Sequence, residues 1–368
     1  MREHAWLSTL LAAGAVSSPL GARDSGIYTG GDLSGCGRPA NISSSLPHLV
    51  TSGGMVRTYT VHLPSNYSET QQYPVLVGYH GHPGIGLFLE LDSRLDEFAP
   101  DKIVVYPNGV DQAWAGANYS KATVPQDLQF TADLLADLRT RYCIDSARVY
   151  ATGMSNGAGF VGALACNDTV GGEFAAFAPV AGAYYTDAHG PDDDGCKPAR
   201  DLTPILEFHG GADESVLSWW ADRNGCQAPP EQQDSFNDTV HHLSWTCRGS
   251  QGVLQHYKVD PMSMPSRGPL AYCNLDSTDS SCVTAEHVWP STEPNFSQLA
   301  AGDVPTRIQA SEIMQDFFRR YTRPAAAPNT KGNTSSPVAR STSCRVRYLD
   351  RSFLEASVLL LSLLWQLN

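Results

Sequence analysis

Five consecutive residues constrain this chain more than any others: Gly153-Met154-Ser155-Asn156-Gly157. Before them, Arg148-Val149-Tyr150-Ala151-Thr152 reads as a short buried strand. After them, Asn156 to Ala165 reads as a helix of small and apolar residues. A strand that turns at once into a helix lifts a serine at the corner clear of the sheet. So tight a turn strains the backbone and leaves no room for side chains two residues either side of the serine, which is why glycine stands at both places. A G-x-S-x-G pentapeptide alone is common by chance. Between this strand and this helix it points to a serine nucleophile.

Other apolar runs surround the motif. Arg57 to Leu63 alternates as a half-buried strand does. Tyr73 to His80, Lys102 to Tyr106, Phe174 to Val180, Pro204 to Phe208 and Val253 to Val259 read as further strands. Gln126 to Tyr142 is the clearest helix, with Leu128, Thr131, Leu134, Leu135, Leu138 and Tyr142 on one face, and Pro305 to Tyr321 reads as a closing helix. Short apolar strands alternating with helices predict an α/β fold of the α/β-hydrolase type, a mostly parallel central sheet with helices on both faces. Sites in such sheets lie at the carboxyl ends of the strands, so the loops after His80, Thr152 and Phe208 are expected on one rim.

A serine nucleophile needs a base, and the base needs an acid that holds its tautomer. Where the nucleophile sits on a strand-to-helix corner, the order along the chain is serine, acid, histidine. Asp213 follows the strand Pro204 to Phe208 through a short glycine-containing loop and is the expected acid, with Glu214 and Asp222 as alternatives. His287, after the last expected strand and before the closing helix, is the expected base. His241, His242 and His256 read as ordinary structural histidines. The backbone N–H groups of Asn156 and His82 are the expected oxyanion donors. His80 and His82 have no ligands spaced to make a metal site with them, so neither a metal nor an organic cofactor is expected.

The ends and the composition bear on location. Residues 1–22 read as a secretory signal peptide: a polar start with one arginine, an apolar stretch from Ala5 to Val16, then small residues. Nine cysteines suit an oxidising compartment. Sequons at Asn41, Asn66, Asn118, Asn167, Asn237, Asn295 and Asn333 are N-glycosylation candidates of a secreted, extracellular protein. The net charge of −13 argues against nucleic acid or anionic membranes as partners. Residues 23–321 are expected to form one α/β-hydrolase domain, and residues 322–368 a low-complexity linker ending in a short apolar tail that cannot span a bilayer.

With these residues in place, the chain resembles the secreted fungal feruloyl esterases of types C and D, in carbohydrate esterase family one, related to polyhydroxybutyrate depolymerases. The resemblance runs from about Gly35 to Tyr321. It lies in Ser34-Gly35-Cys36-Gly37, Tyr79-His80-Gly81, Tyr106-Pro107-Asn108-Gly109, Tyr142-Cys143-Ile144-Asp145 and the serine pentapeptide itself. It continues in Ala176-Phe177-Ala178-Pro179-Val180, Glu207-Phe208-His209-Gly210, Trp220-Ala221-Asp222-Arg223-Asn224-Gly225-Cys226 and Trp289-Pro290-Ser291. It implies a monomeric serine esterase that releases hydroxycinnamates from arabinoxylan or pectin, or acts on small phenolic esters, without a cofactor. It carries Ser155, Asp213 and His287 into the roles of nucleophile, acid and base.

The chain departs from that pattern in a short segment from Glu214 to Ser218, an added segment over 260–286 and the tail after Tyr321. Two alternatives arise: an acetylxylan or polyester esterase on the same triad, or an inactive wall-binding glycoprotein whose triad does not close. Cysteine connectivity does not follow from sequence. The expected pairs are Cys36–Cys143, Cys166–Cys196 and Cys226–Cys247, with Cys273–Cys282 in the added segment and Cys344 free. Trp114, Tyr119, Tyr184, Tyr185, Trp219 and Trp220 are the aromatics near expected strand ends that could stack on a phenolic ring.

Overall fold

The apolar runs become the centre of a single sheet. A computed structural model of the protein describes residues 35–39, 47–182, 196–210, 214–259, 287–301 and 304–323. The chain divides into two units, Met1–Ala325 and Ala326–Asn368, and every described residue belongs to the first. The expected leader, the segment 260–286 with Cys273 and Cys282, the tail with Cys344, and the sequons at Asn41 and Asn333 lie outside the described residues.

In chain order the strands are β1 His48–Ser52, β2 Met55–His62, β3 Tyr73–Tyr79, β4 Ile103–Pro107, β5 Ile144–Met154, β6 Ala176–Val180, β7 Ile205–His209, β8 Glu231–Ser235, β9 Val240–Cys247 and β10 Ser250–Val259. They lie in the order β1-β2-β4-β3-β5-β6-β7-β10-β9-β8. Pairing is parallel from β4 to β10, and β1, β2, β9 and β8 add antiparallel margins. β3, β4 and β6 are buried along their whole length, as strands covered on both faces must be. This is the α/β-hydrolase sheet, and β5 lies at its middle.

The helices are α1 Gly86–Ser93, α2 Leu95–Phe98, α3 Val124–Arg141, α4 Asn156–Ala165, α5 Glu214–Arg223, α6 Phe296–Ala301 and α7 Ala310–Phe318. One core joins the sheet to α3, α4 and α5 through Phe130, Leu134, Phe160, Leu217 and Trp220. The other joins it to α1, α2 and α7 through Leu89, Leu95, Met314 and Phe317. The expected strands and long helices are present with shifted ends. β1, β8 and β9 were not expected. β8 is exposed throughout, so it carries no apolar signal, and it is held only as the outer strand of a hairpin. The three expected disulfides with described partners form: Cys36–Cys143, Cys166–Cys196 and Cys226–Cys247.

A buried ion pair fastens the antiparallel margin to α3. Arg57 Nη1 lies 2.8 Å from Asp127 Oδ1, with the two side chains 3% and 0% exposed. Arg57 also donates to the Asn108 carbonyl at 3.2 Å, and Asp127 Oδ2 accepts the Ala115 N–H at 2.8 Å. The guanidinium lies 4.0 Å from the centre of the Phe130 ring. Burial pushes the Asp127 carboxyl up, and Arg57 opposes that shift. Removing one partner of such a pair leaves a charge uncompensated, so Arg57→Ala is expected to cost about 3–5 kcal/mol in urea unfolding. A loss below about 1 kcal/mol would show that the pair does not hold this margin.

Candidate active site

Sequence makes the corner at Ser155 tight, and the geometry shows how tight. β5 ends at Met154 and α4 begins at Asn156. Ser155 sits between them at φ 54°, ψ −117°, a backbone conformation a non-glycine residue holds only under strain. A Cβ added at Gly157 would lie 2.1 Å from the Tyr79 carbonyl oxygen and 2.5 Å from that of His80. At Gly153 it would lie 2.7 Å from the Gly157 carbonyl. Neither position tolerates a side chain.

His287 meets the serine there, its Nε2 2.6 Å from Ser155 Oγ. Its ring reaches the surface, yet desolvation by the surrounding protein, followed by the neighbouring His209, lowers its pKa from 6.5. The imidazole is therefore neutral at pH 7 and can accept a proton. His209 escaped the reading of the sequence, where it stands only as the first residue of the loop after Phe208. Its place at the carboxyl end of β7, next to Gly210, was the available signal.

The segment after His287 is fixed by buried hydrogen bonds. Trp289 is fully buried and donates its indole N–H to Ser311 Oγ at 3.0 Å, and that hydroxyl donates to the Ser93 carbonyl at 2.5 Å. Asn295 donates its side-chain amide to the Trp289 carbonyl at 2.9 Å and the Asp92 carbonyl at 3.2 Å. Asn295 is 3% exposed, so this sequon has no open side for a glycan in the folded protein. Asn66, Asn118 and Asn237 are exposed, and Asn167 is partly so.

Asp213, the expected acid, lies outside the described residues. Of the alternatives, Asp222 is exposed on α5. The other histidines are engaged elsewhere: His241 with Asp234 at 2.7 Å, His242 with Gln255 at 2.9 Å, and His256 with Glu207 at 3.2 Å.

The loop expected to supply an oxyanion donor follows β3. A Cβ on Gly81 would lie 3.4 Å from Ser155 Cβ, so Gly81 packs against Ser155, with His82 next in the chain. His80 anchors this loop. Its Nδ1 is 2.7 Å from the Gly81 carbonyl, and its Nε2 accepts the Gly109 N–H at 2.9 Å. Burial lowers the His80 pKa to about 4, so the ring is a neutral brace with both nitrogens occupied. Asn156, as the first residue of α4, has no helical acceptor for its N–H. Its side chain accepts the Trp114 N–H at 2.7 Å and donates to the Trp114 carbonyl at 2.9 Å, tying the loop after β4 to the corner.

Of the aromatics expected near the site, Trp114 and Trp220 are core residues, and Trp219 is partly buried with Arg223 over its ring at 4.4 Å. Tyr119 is 40% exposed, and Tyr184 and Tyr185 lie outside the described residues. Away from the serine, His62, Glu90 and Asp96 bring three possible metal-ligating atoms within 4.8 Å of one another. Here Glu90 and then Asp96 raise the His62 pKa against burial, as an ion-pair cluster joining β2 to α1 and α2 does.

Fold and corner define a chain of the α/β-hydrolase class, with a serine and a histidine in contact at the strand-to-helix turn. Within that class its likeness is to fungal feruloyl esterases. It is 27% identical to a probable feruloyl esterase C of Aspergillus niger, over 62% of this chain and 78% of that one. It is 27% identical to feruloyl esterase C of Emericella nidulans, over 60% of this chain and 76% of that one. Among solved structures, an acetyl xylan esterase from Aspergillus awamori superposes with a TM-score of 0.46 at 17% identity, covering 59% of this chain and 93% of the other. No protein-family model matches the chain. The curated relatives support a carboxylic ester hydrolase.

This geometry has two measurable outcomes. The acid limb of a pH–kcat/KM profile should lie below the ordinary histidine value of 6.5, because the free enzyme holds His287 neutral. A limb above that value would mean that a carboxylate partner outweighs the desolvation. The second outcome concerns Asp92, whose carboxyl accepts the Ser297 N–H at 2.6 Å and is raised by burial from 3.8 to about 6. A carboxyl raised on folding stabilises the fold below its unfolded pKa, and that contribution is lost as pH rises through the folded value. Asp92→Asn, which keeps an acceptor and cannot ionise, should therefore gain on the parent by about 2 kcal/mol between roughly pH 4 and 7 in chemical unfolding. A pH-independent difference would refute this.

Proposed function

We propose that the protein is a secreted serine esterase that hydrolyses hydroxycinnamoyl esters of plant cell-wall polysaccharides through an acyl-enzyme. The observation that carries this reading is the 2.6 Å hydrogen bond between Ser155 Oγ and His287 Nε2 at a strained strand-to-helix corner. In this reading His287 takes the hydroxyl proton as Ser155 attacks the ester carbonyl. The N–H groups of Asn156 and His82 receive the oxygen as its charge develops. His287 then gives its proton to the departing alcohol, and the acyl-enzyme forms. Water enters, His287 takes its proton, and the acid leaves with Ser155 restored. Asp213 is assigned as the acid that orients His287, by its place in the loop after β7 and by the order serine, acid, histidine.

Supporting the acyl group is the likeness to feruloyl esterases of type C in two fungi. Secretion rests on the leader-like residues 1–22 and the three disulfides. Among the described residues no helix is long and apolar enough to cross a membrane.

The test is hydrolysis of methyl ferulate and p-nitrophenyl acetate by purified protein. Ser155→Ala and His287→Ala should each lower kcat by at least about a thousandfold with folding intact by circular dichroism. Asp213→Asn should lower it by at least about a hundredfold. Preference for acetate would replace the hydroxycinnamoyl reading with the acetyl-ester one. Folded parent protein inactive on both esters would overturn the proposal and favour an inactive wall-binding glycoprotein.

A further inference from the structure

A tetrahedral carbon on Ser155 would carry four substituents, and the site assigns three of them. One is Ser155 Oγ. The oxyanion must lie toward the N–H groups of Asn156 and His82, and the leaving oxygen must lie within reach of His287 Nε2. His287 is anchored through Trp289 to the core that carries α1 and α7. The loop after β4 belongs to the other core, through Trp114. The acyl group needs a surface beside this turn, and the segment from Trp114 to Ser120 borders the turn through Asn156.

Tyr119 stands in that segment. Its ring stacks on the ring of His82, centroids 3.9 Å apart and planes 27° apart. The pair is tied to the nucleophile's own turn from both sides. On the Tyr119 side, Ser120 Oγ donates to the Trp114 carbonyl at 2.6 Å, and Trp114 is joined to Asn156 by two hydrogen bonds. On the His82 side, Gly81 abuts Ser155. Burial lowers the His82 pKa, so the stacked pair is an uncharged aromatic surface at neutral pH. Tyr119 is 40% exposed, whereas Trp114 and Trp220 are spent in the core.

We propose that the His82–Tyr119 stack is the shelf on which the aromatic ring of the acyl group lies, and that Tyr119 selects aryl-acyl over acetyl esters. The inference rests on the esterase reading above and adds to it a place and a residue. A planar ring offset-stacked on this shelf gains a contact that an acetyl group cannot make. Ground state and transition state share that contact, so its loss should appear mainly in KM.

Tyr119→Ala should lower kcat/KM for methyl ferulate about tenfold, with KM rising and kcat little changed. The same variant should stay within about twofold of the parent on p-nitrophenyl acetate, and Tyr119→Phe, which keeps the ring, should stay within about threefold on methyl ferulate. Equal losses on the two esters, or none, would overturn the shelf and leave the esterase reading standing. Calorimetric binding of free ferulate to Ser155→Ala, with and without Tyr119→Ala, makes the test independent of turnover. About tenfold weaker binding with the second substitution supports the shelf. Equal affinities, or no binding to Ser155→Ala, sink it whatever esters the parent cleaves.

Discussion

The close approach of the first turn of α4 to the end of β3 is the constraint on which the rest depends. Gly157 presses against the carbonyls of Tyr79 and His80, and Gly153 against Gly157. Because no side chain intervenes, β5 can hand over to α4 without a loop and Ser155 is forced out of the sheet. The same step leaves the Asn156 N–H without a helical acceptor and turns its side chain toward Trp114. α4 is buried on every side and composed mostly of Gly and Ala, so it packs beneath the sheet without displacing its neighbours.

The sheet positions one reacting group directly and the other at second hand. Ser155 is held by backbone strain at a strand end. His287 is held through its C-terminal neighbours: a buried tryptophan, a shared serine hydroxyl and an asparagine amide that bind the segment to α1 and α7. These are polar contacts in a dry setting, where unmade bonds are costly, and they define a single arrangement of the segment.

Much of this was legible in the sequence, for identifiable reasons. Strands covered on both faces have to be continuous apolar runs, so β3, β4, β5, β6 and β7 announced themselves. The corner announced itself because only glycine fits where Gly153 and Gly157 lie. β8 did not, because an exposed outer strand such as Glu231–Ser235 has no apolar side to display. Nor did the side-chain contacts of Asn156, Asp92 and Asn295, since a side-chain amide or carboxyl that stitches distant segments has no local pattern. Of the aromatics near strand ends, composition could not say which were core and which were open; Trp114 and Tyr119 are five residues apart in sequence and differ completely in exposure. His209 was hidden for a similar reason: its effect on His287 exists only once the carboxyl end of β7 is brought to the rim.

The buried amide of Asn295 cannot serve both as a glycan acceptor and as a core hydrogen-bond donor at two carbonyls. Its sequon is readable by a glycosyltransferase only while the chain is still extended. In the folded molecule both donations of its amide group are already committed within the core. A sugar attached early would leave the segment behind His287 unable to close, because the amide could no longer reach Trp289 and Asp92. In any one molecule Asn295 can carry a sugar or make both of these amide hydrogen bonds, never the two together.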